Sequence, residues 1–104
     1  MIFRTRKLVK YEDLNSNGSL FGGQLLKWID EEAAIYAMCQ LETHWIVTKI
    51  ISEINFMAPA HLNDVIEIGV EVVKIGTTSI TLKAAVRIKD SKITILTIDK
   101  IVLR

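Results

Sequence analysis

A pair of glycines and a carboxylate share one stretch of this sequence, NSNGSLFGGQLLKWIDEE, residues 15 to 32. Gly22 and Gly23 stand where a helical texture begins, and Asp30 follows about two turns further on. The first N–H groups of a helix have no partner inside it and carry a partial positive charge. Glycine lets a ligand approach such backbone groups closely. That geometry suits the polarisation of a carbonyl oxygen. One helix would therefore carry carbonyl-polarising donors and a carboxylate on the same side. For the glycines alone, a tight entry from loop to helix is the plainer explanation.

At ~100° per residue, Asp30 shares its face with Gly23, Leu26, Ala34, Ala37 and Leu41, flanked by Lys27 and Ala33. This face is small and apolar, as suits close packing on a sheet. Gln24, Glu31 and Glu42 fall on another arc that reads as solvated. An aspartate is rarely buried without a partner, because a desolvated carboxylate is costly. Three ordinary explanations compete with a functional one. Asp30 could bond a backbone group, pair with Lys27 three residues back, or face a water-filled crevice.

The elements that must position these groups are legible from texture. Residues 2 to 9 suit a short first strand, and 10 to 21 are polar and turn-like. A helix rich in Leu, Ala, Met and Glu runs from Gly22 or Gly23 to about Leu41. Residues 45 to 57 read as a long strand closed by Ala58-Pro59. Residues 65 to 75 follow, with Ile66, Ile68, Val70 and Val72 on one face and Glu67 and Glu71 on the other. Residues 78 to 89 show the cleanest period of two, with Ile80, Leu82, Ala84, Val86 and Ile88 aligned. Residues 92 to 103 make the last strand. Short connections at Gly76-Thr77 and Asp90-Ser91 suit hairpins. The expected architecture is α+β: one strand, one long helix, then four strands in an antiparallel meander.

Composition narrows the function classes. The 104 residues suit one domain, 1–104. Half are hydrophobic and the mean hydropathy is +0.31, high for a small monomer with so much surface to cover. No apolar run approaches the roughly 20 residues of a membrane span. The surplus therefore points to burial between subunits. Thirteen basic and twelve acidic residues leave a net charge of +1, and no block of like charge suggests nucleic acid or a membrane surface. Cys39 is alone, without disulfide or metal-type spacing, and reads as a small buried residue. The N-terminus lacks a signal-like apolar region, so a cytoplasmic protein is expected. His44 precedes a strand and His61 sits in a turn beside Pro59, both exposed in this reading.

Three segments in order then resemble one family. They are NSNGSLFGGQLLKWIDEEAAIYA, the strand segment IVTKIISEINFMAPA at 46 to 60, and VVKIGTTSI at 72 to 80. Together they resemble hotdog-fold acyl-CoA thioesterases, the acyl-CoA hydrolase group that includes YciA-like and cytosolic brain-type enzymes. The resemblance implies a hotdog fold, a long central helix wrapped by a curved antiparallel sheet of about five strands. It implies hydrolysis of acyl-CoA thioesters in a homodimer with shared active sites, commonly assembled as a trimer of dimers. Coenzyme A belongs to the substrate and product, and no other cofactor or metal is implied. Asp30 matches the family's catalytic aspartate, acting as general base or nucleophile. Asn15 matches an asparagine that positions water or substrate from the other protomer. Gly22 and Gly23 match the backbone donors that face the thioester oxygen. Gly76, Thr77, Thr78 and Ser79 match a hairpin near the pantetheine and phosphates, and Asn55, Met57 and Ala58 a segment lining the cleft. The last strand, ITILTIDKIVLR, departs from the pattern, with Asp99 and Lys100 where relatives are often apolar or aromatic. Relatives usually continue past it with a tail that helps hold coenzyme A.

Two other functions compete. A non-catalytic acyl-CoA-binding or sensing domain would use the same fold, but has little need of a carboxylate beside an acyl carbonyl. A hydratase or dehydratase of this fold typically uses a histidine near the helix start, where this sequence has none.

Overall fold

The computed structural model describes residues 1 to 104. In chain order it holds β1 (Phe3–Leu8), a 3-10 turn (Tyr11–Asp13), α1 (Gly22–Leu41), β2 (Thr48–Phe56), β3 (Val65–Ile75), β4 (Ile80–Ile88) and β5 (Thr94–Leu103). The five strands form one sheet in the order β1-β3-β4-β5-β2, antiparallel throughout. One long helix lies across β3, β4 and β5. This is the hotdog arrangement that the resemblance implies.

The strand order corrects one expectation. Only β3, β4 and β5 form a meander. β2 pairs instead with β5 at the far edge, from Thr48 opposite Leu103 to Phe56 opposite Leu96. The cause is the connection of residues 57 to 64, which contains Pro59 and is too long for a tight hairpin turn. It is tied down at both ends of its path. Met57 N–H donates to Ile95 O (2.8 Å), and Ala60 O accepts from Leu20 N–H (2.8 Å) in the loop before the helix.

The helix buries Leu25, Trp28, Ile29, Ala33 and Ala37 against the inward faces of the sheet. Ile66, Ile68, Ile80, Leu82, Ala84 and Val86 lie there as their alternation indicates. Each such large apolar side chain contributes about 1.5–3 kcal/mol on burial. That preference turns the helix by about one residue from the expected small-residue face, ~100°. Ala37 belongs to the buried face, whereas Gly23 and Leu41 are exposed and Asp30 borders it. Cys39 is exposed rather than buried; it lies in the last turn of the helix, where Gln40 and Leu41 are exposed too. The helix ends at Glu42, which takes the left-handed conformation (φ 52°) and returns its N–H to Met38 O.

The irregular last strand has a structural reason. Leu82 and Ala84 of β4 face Ile101 and Ile98 of β5, so β5 carries one extra residue there. This bulge puts both Asp99 and Lys100 outward while Ile98 and Ile101 stay buried. On the outer face of β3, Glu67 is only 3% exposed. It accepts hydrogen bonds from Arg6 (3.1 Å), Arg87 (3.0 Å) and Lys92 (3.4 Å). Burial pushes its carboxyl up, but the hydrogen bonds from Arg6, Arg87 and Lys92 outweigh it. The result lies below the ordinary value.

Apolar surface gathers along the β2 edge and its flanks, where Trp45, Val47, Ile50, Phe56 and Met57 are exposed. No helix is long and apolar enough to cross a membrane.

Candidate active site

The start of α1 is open. Phe21 occupies the cap position and its side chain has no oxygen to offer, so no side chain caps the helix. Leu25 is the first helix residue whose N–H returns to the chain, to Phe21 O at 3.1 Å. The N–H groups of Gly22, Gly23 and Gln24 bond to nothing within the protein. The two glycines lie close under two exposed phenyl rings. A Cβ on Gly22 would lie 3.2 Å from the Phe56 ring, and one on Gly23 only 2.6 Å from the Phe21 ring.

A cleft of about 400 Å³ opens at this end of the helix, lined by Asn15, Gly22, Met57 and Ala58 among others. Four of the residues singled out in sequence thus come together. Gly23 lies beside the cleft rather than on its wall. Asn55 lies outside it, with its amide directed to Glu53 O (3.3 Å) and Thr97 Oγ1 (3.5 Å). Asn15 is held by its own turn. Its Oδ1 accepts from Asn17 N–H (2.9 Å) and Ser19 N–H (3.2 Å), and its Nδ2 donates to Ser19 Oγ (3.2 Å). Gly18 closes the turn with φ +81°.

Gln24 corrects the sequence reading. It is not simply solvated, since its Nε2 donates to Oδ1 of Asp13 at 3.0 Å. Asp13 is 3% exposed, and sequence reasoning passed it over as part of a polar loop. The signal was an acidic residue eleven positions before a glutamine, which no local periodicity connects.

Asp30 is half-buried and has one partner, Thr48 at the start of β2. The Thr48 hydroxyl donates to Asp30 Oδ1 at 2.7 Å. Two of the three ordinary explanations do not describe this. Lys27 forms no ion pair with Asp30, and no backbone group donates to it. Oδ2 accepts no hydrogen bond from this chain. Asp30 lies eight residues beyond Gly22, about 12 Å along the helix axis. Within one chain the carboxylate and the open helix start therefore do not meet.

The 76–79 hairpin is a third place. Gly76 N–H donates to Ser79 O at 2.8 Å. Gly76, Thr77, Thr78 and Ser79 line a separate cavity of about 290 Å³ with Leu41, Trp45 and Arg104, at the C-terminal end of α1. His44 and His61 are both exposed, as expected.

Comparison with known proteins places these features in a family. The chain is 34% identical over 84 residues to the acyl-CoA thioester hydrolase YciA of Salmonella typhimurium, covering 81% of this chain and 62% of that one. It spans 54–64% of the length of the first curated relatives it matches. Among solved structures, a hexameric thioesterase from Yersinia pestis superposes with a TM-score of 0.91. It is 26% identical, over 98% of this chain and 84% of that chain. Two substituted forms of an acyl-CoA hydrolase from Staphylococcus aureus each give a TM-score of 0.88 at 25% identity. Each match covers 95% of this chain and 62% or 60% of that one. One form carries an aspartate-to-alanine change. The other carries an asparagine-to-alanine change and holds coenzyme A, and the two positions are fifteen residues apart. Residues 17–95 match the thioesterase superfamily. With most of its length inside that match, the chain belongs to the thioesterase superfamily.

Proposed function

We propose that this chain hydrolyses acyl-CoA thioesters at sites shared between two copies of itself. The observation that carries this reading is the uncapped helix start, whose N–H groups at Gly22 and Gly23 are unpaired and whose first residue, Gly22, lines a cleft with Asn15. A second observation supports it. Asn15 and Asp30 have the same fifteen-residue separation as the asparagine and aspartate substituted in the Staphylococcus aureus hydrolase.

The chemistry follows from these groups. The thioester oxygen accepts from the Gly22 and Gly23 N–H groups, which stabilise the oxyanion as it forms. Asp30 takes a proton from water through Oδ2 while Thr48 fixes Oδ1, and the water oxygen bonds to the thioester carbon as the carbonyl π pair moves onto oxygen. Asn15 orients the reactants from the cleft wall. Collapse of the tetrahedral intermediate expels coenzyme A thiolate, which at a thiol pKa of ~8.5 needs little acid assistance. The hairpin Gly76–Ser79 holds the pantetheine and phosphates, and Met57 and Ala58 border the acyl path. The reaction asks for no cofactor beyond the coenzyme A of the substrate.

One chain cannot place all of this on one carbonyl. General base and oxyanion donors must lie within several ångströms of the same atom, not ~12 Å apart. A second protomer, paired through the apolar β2 edge, supplies the other half. Exposed Ile50, Phe56 and Met57 mark that edge, and pairing would cover its open backbone. Further assembly as a trimer of dimers fits the same apolar surplus.

Thiol release over a panel of acyl-CoAs, short to long, tests the proposal. Turnover of at least one chain length is expected. A protein protected against melting by acyl-CoA yet releasing no thiol would be a binding domain instead.

A further inference from the structure

We infer that Asp13 and Gln24 act together as positioning residues, holding the Asn15 loop on the helix start while keeping the helix N–H groups free. The inference rests on the thioesterase reading above and adds two residues to it.

Both Asp13 carboxylate oxygens are used. Oδ2 accepts the Lys10 N–H at 2.9 Å, and Oδ1 accepts Gln24 Nε2 at 3.0 Å. The Asp13 carbonyl accepts the Phe21 N–H at 2.8 Å. One residue thus joins the end of the 3-10 turn, the cap position of α1 and the third residue of α1. Asn15 follows two residues later, in a loop closed by the Leu14–Leu20 bridge just before the helix. Whatever fixes Asp13 against α1 therefore fixes where Asn15 stands relative to Gly22.

The choice of donor matters. A carboxylate at a helix N-terminus ordinarily accepts the backbone N–H of the second or third helical residue. Such a bond here would consume a Gly23 or Gln24 N–H and set a negative charge against the oxyanion donors. Instead the Gln24 side chain satisfies Asp13, and the Gly22, Gly23 and Gln24 N–H groups stay open. The buried carboxylate cannot be left unpaired without cost, so the glutamine amide is what frees the backbone.

The test uses Gln24→Leu, Gln24→Glu and the double variant Asp13→Asn/Gln24→Glu, which restores a hydrogen bond with the roles reversed. Acyl-CoA kinetics, Tm and amide exchange over residues 13–23 are measured on each. Both single variants are expected to lose roughly 10- to 100-fold in kcat with KM little changed. They should also exchange faster at 13–20. The double variant should recover kcat to within a few-fold of wild type. Wild-type kcat in Gln24→Leu would overturn the inference. So would a double variant that regains Tm but not kcat, since the pair would then serve stability alone. If the wild-type protein releases no thiol, the functional reading fails. The exchange result still decides whether the pair holds the loop: unchanged exchange at 13–20 sinks it.

Discussion

Thr48 and Asp30, eighteen residues apart in the chain, meet through a 2.7 Å hydrogen bond from the threonine hydroxyl to Oδ1. The contact joins the middle of the helix to the edge strand on which a second copy would pair. Oδ2 accepts no hydrogen bond from this chain.

Replacing Thr48 with valine keeps the shape and removes the donor. One neutral-to-charged hydrogen bond is worth about 1.5–3 kcal/mol, so thioester hydrolysis should fall roughly 10-fold or more. Thr48→Ser should retain most of it. Steady-state thiol release from the two variants checks this, and equal rates for valine and wild type would remove Thr48 from the mechanism.

A shared site can be tested by mixing. Asp30→Ala and Asn15→Ala chains each lack one half, so homodimers of either should be nearly inactive. After unfolding and refolding together, half of randomly paired dimers contain one intact site of two. About one quarter of wild-type activity should return. No recovery, with mixed dimers verified by mass, would argue that both residues act within one chain.

Acid should act through Glu67. Its carboxyl lies below the ordinary 4.5 in the folded protein: burial raises it, and the bonds from Arg6, Arg87 and Lys92 lower it further than that. A depressed folded value contributes stability that is present above the unfolded value and lost as pH falls through the folded one. Wild-type Tm should therefore fall from about pH 5 to about pH 3 more steeply than that of Glu67→Gln. At neutral pH the variant should melt lower, because Arg6, Arg87 and Lys92 lose their common partner. Parallel Tm curves would remove Glu67 from the account of acid sensitivity.

Local rules made the elements readable. Helix formers between Gly22 and Leu41, and strict alternation from Ile80 to Ile88, mark structure that neighbours in sequence determine. Pairings set by the tertiary fold were not readable. Nothing near β2 reveals that it crosses to β5, because the 57–64 connection decides it. Asp30 reads as a carboxylate in need of a partner, but Thr48 reaches it only once β2 lies at that edge. The Gln24 bond to Asp13 hides in the same way, since helical spacing places Gln24 outward and is silent about a loop folding over it. Glu67 falls on the polar face by alternation, and its burial comes from Arg6 and Arg87 on neighbouring strands. For the site itself, the family resemblance named Asn15, and the structure adds that it shares a cleft with Gly22 and not with Asp30.

The proposed thioester hydrolysis depends on Asp30. The most direct measurement is thiol release by Asp30→Ala on an acyl-CoA that the wild type turns over, with Tm recorded on the same samples. A general base contributes about 10²–10⁴-fold. The expected result is a fall of at least about 100-fold in kcat with a Tm near wild type. Undiminished turnover in a folded Asp30→Ala protein would contradict the assignment.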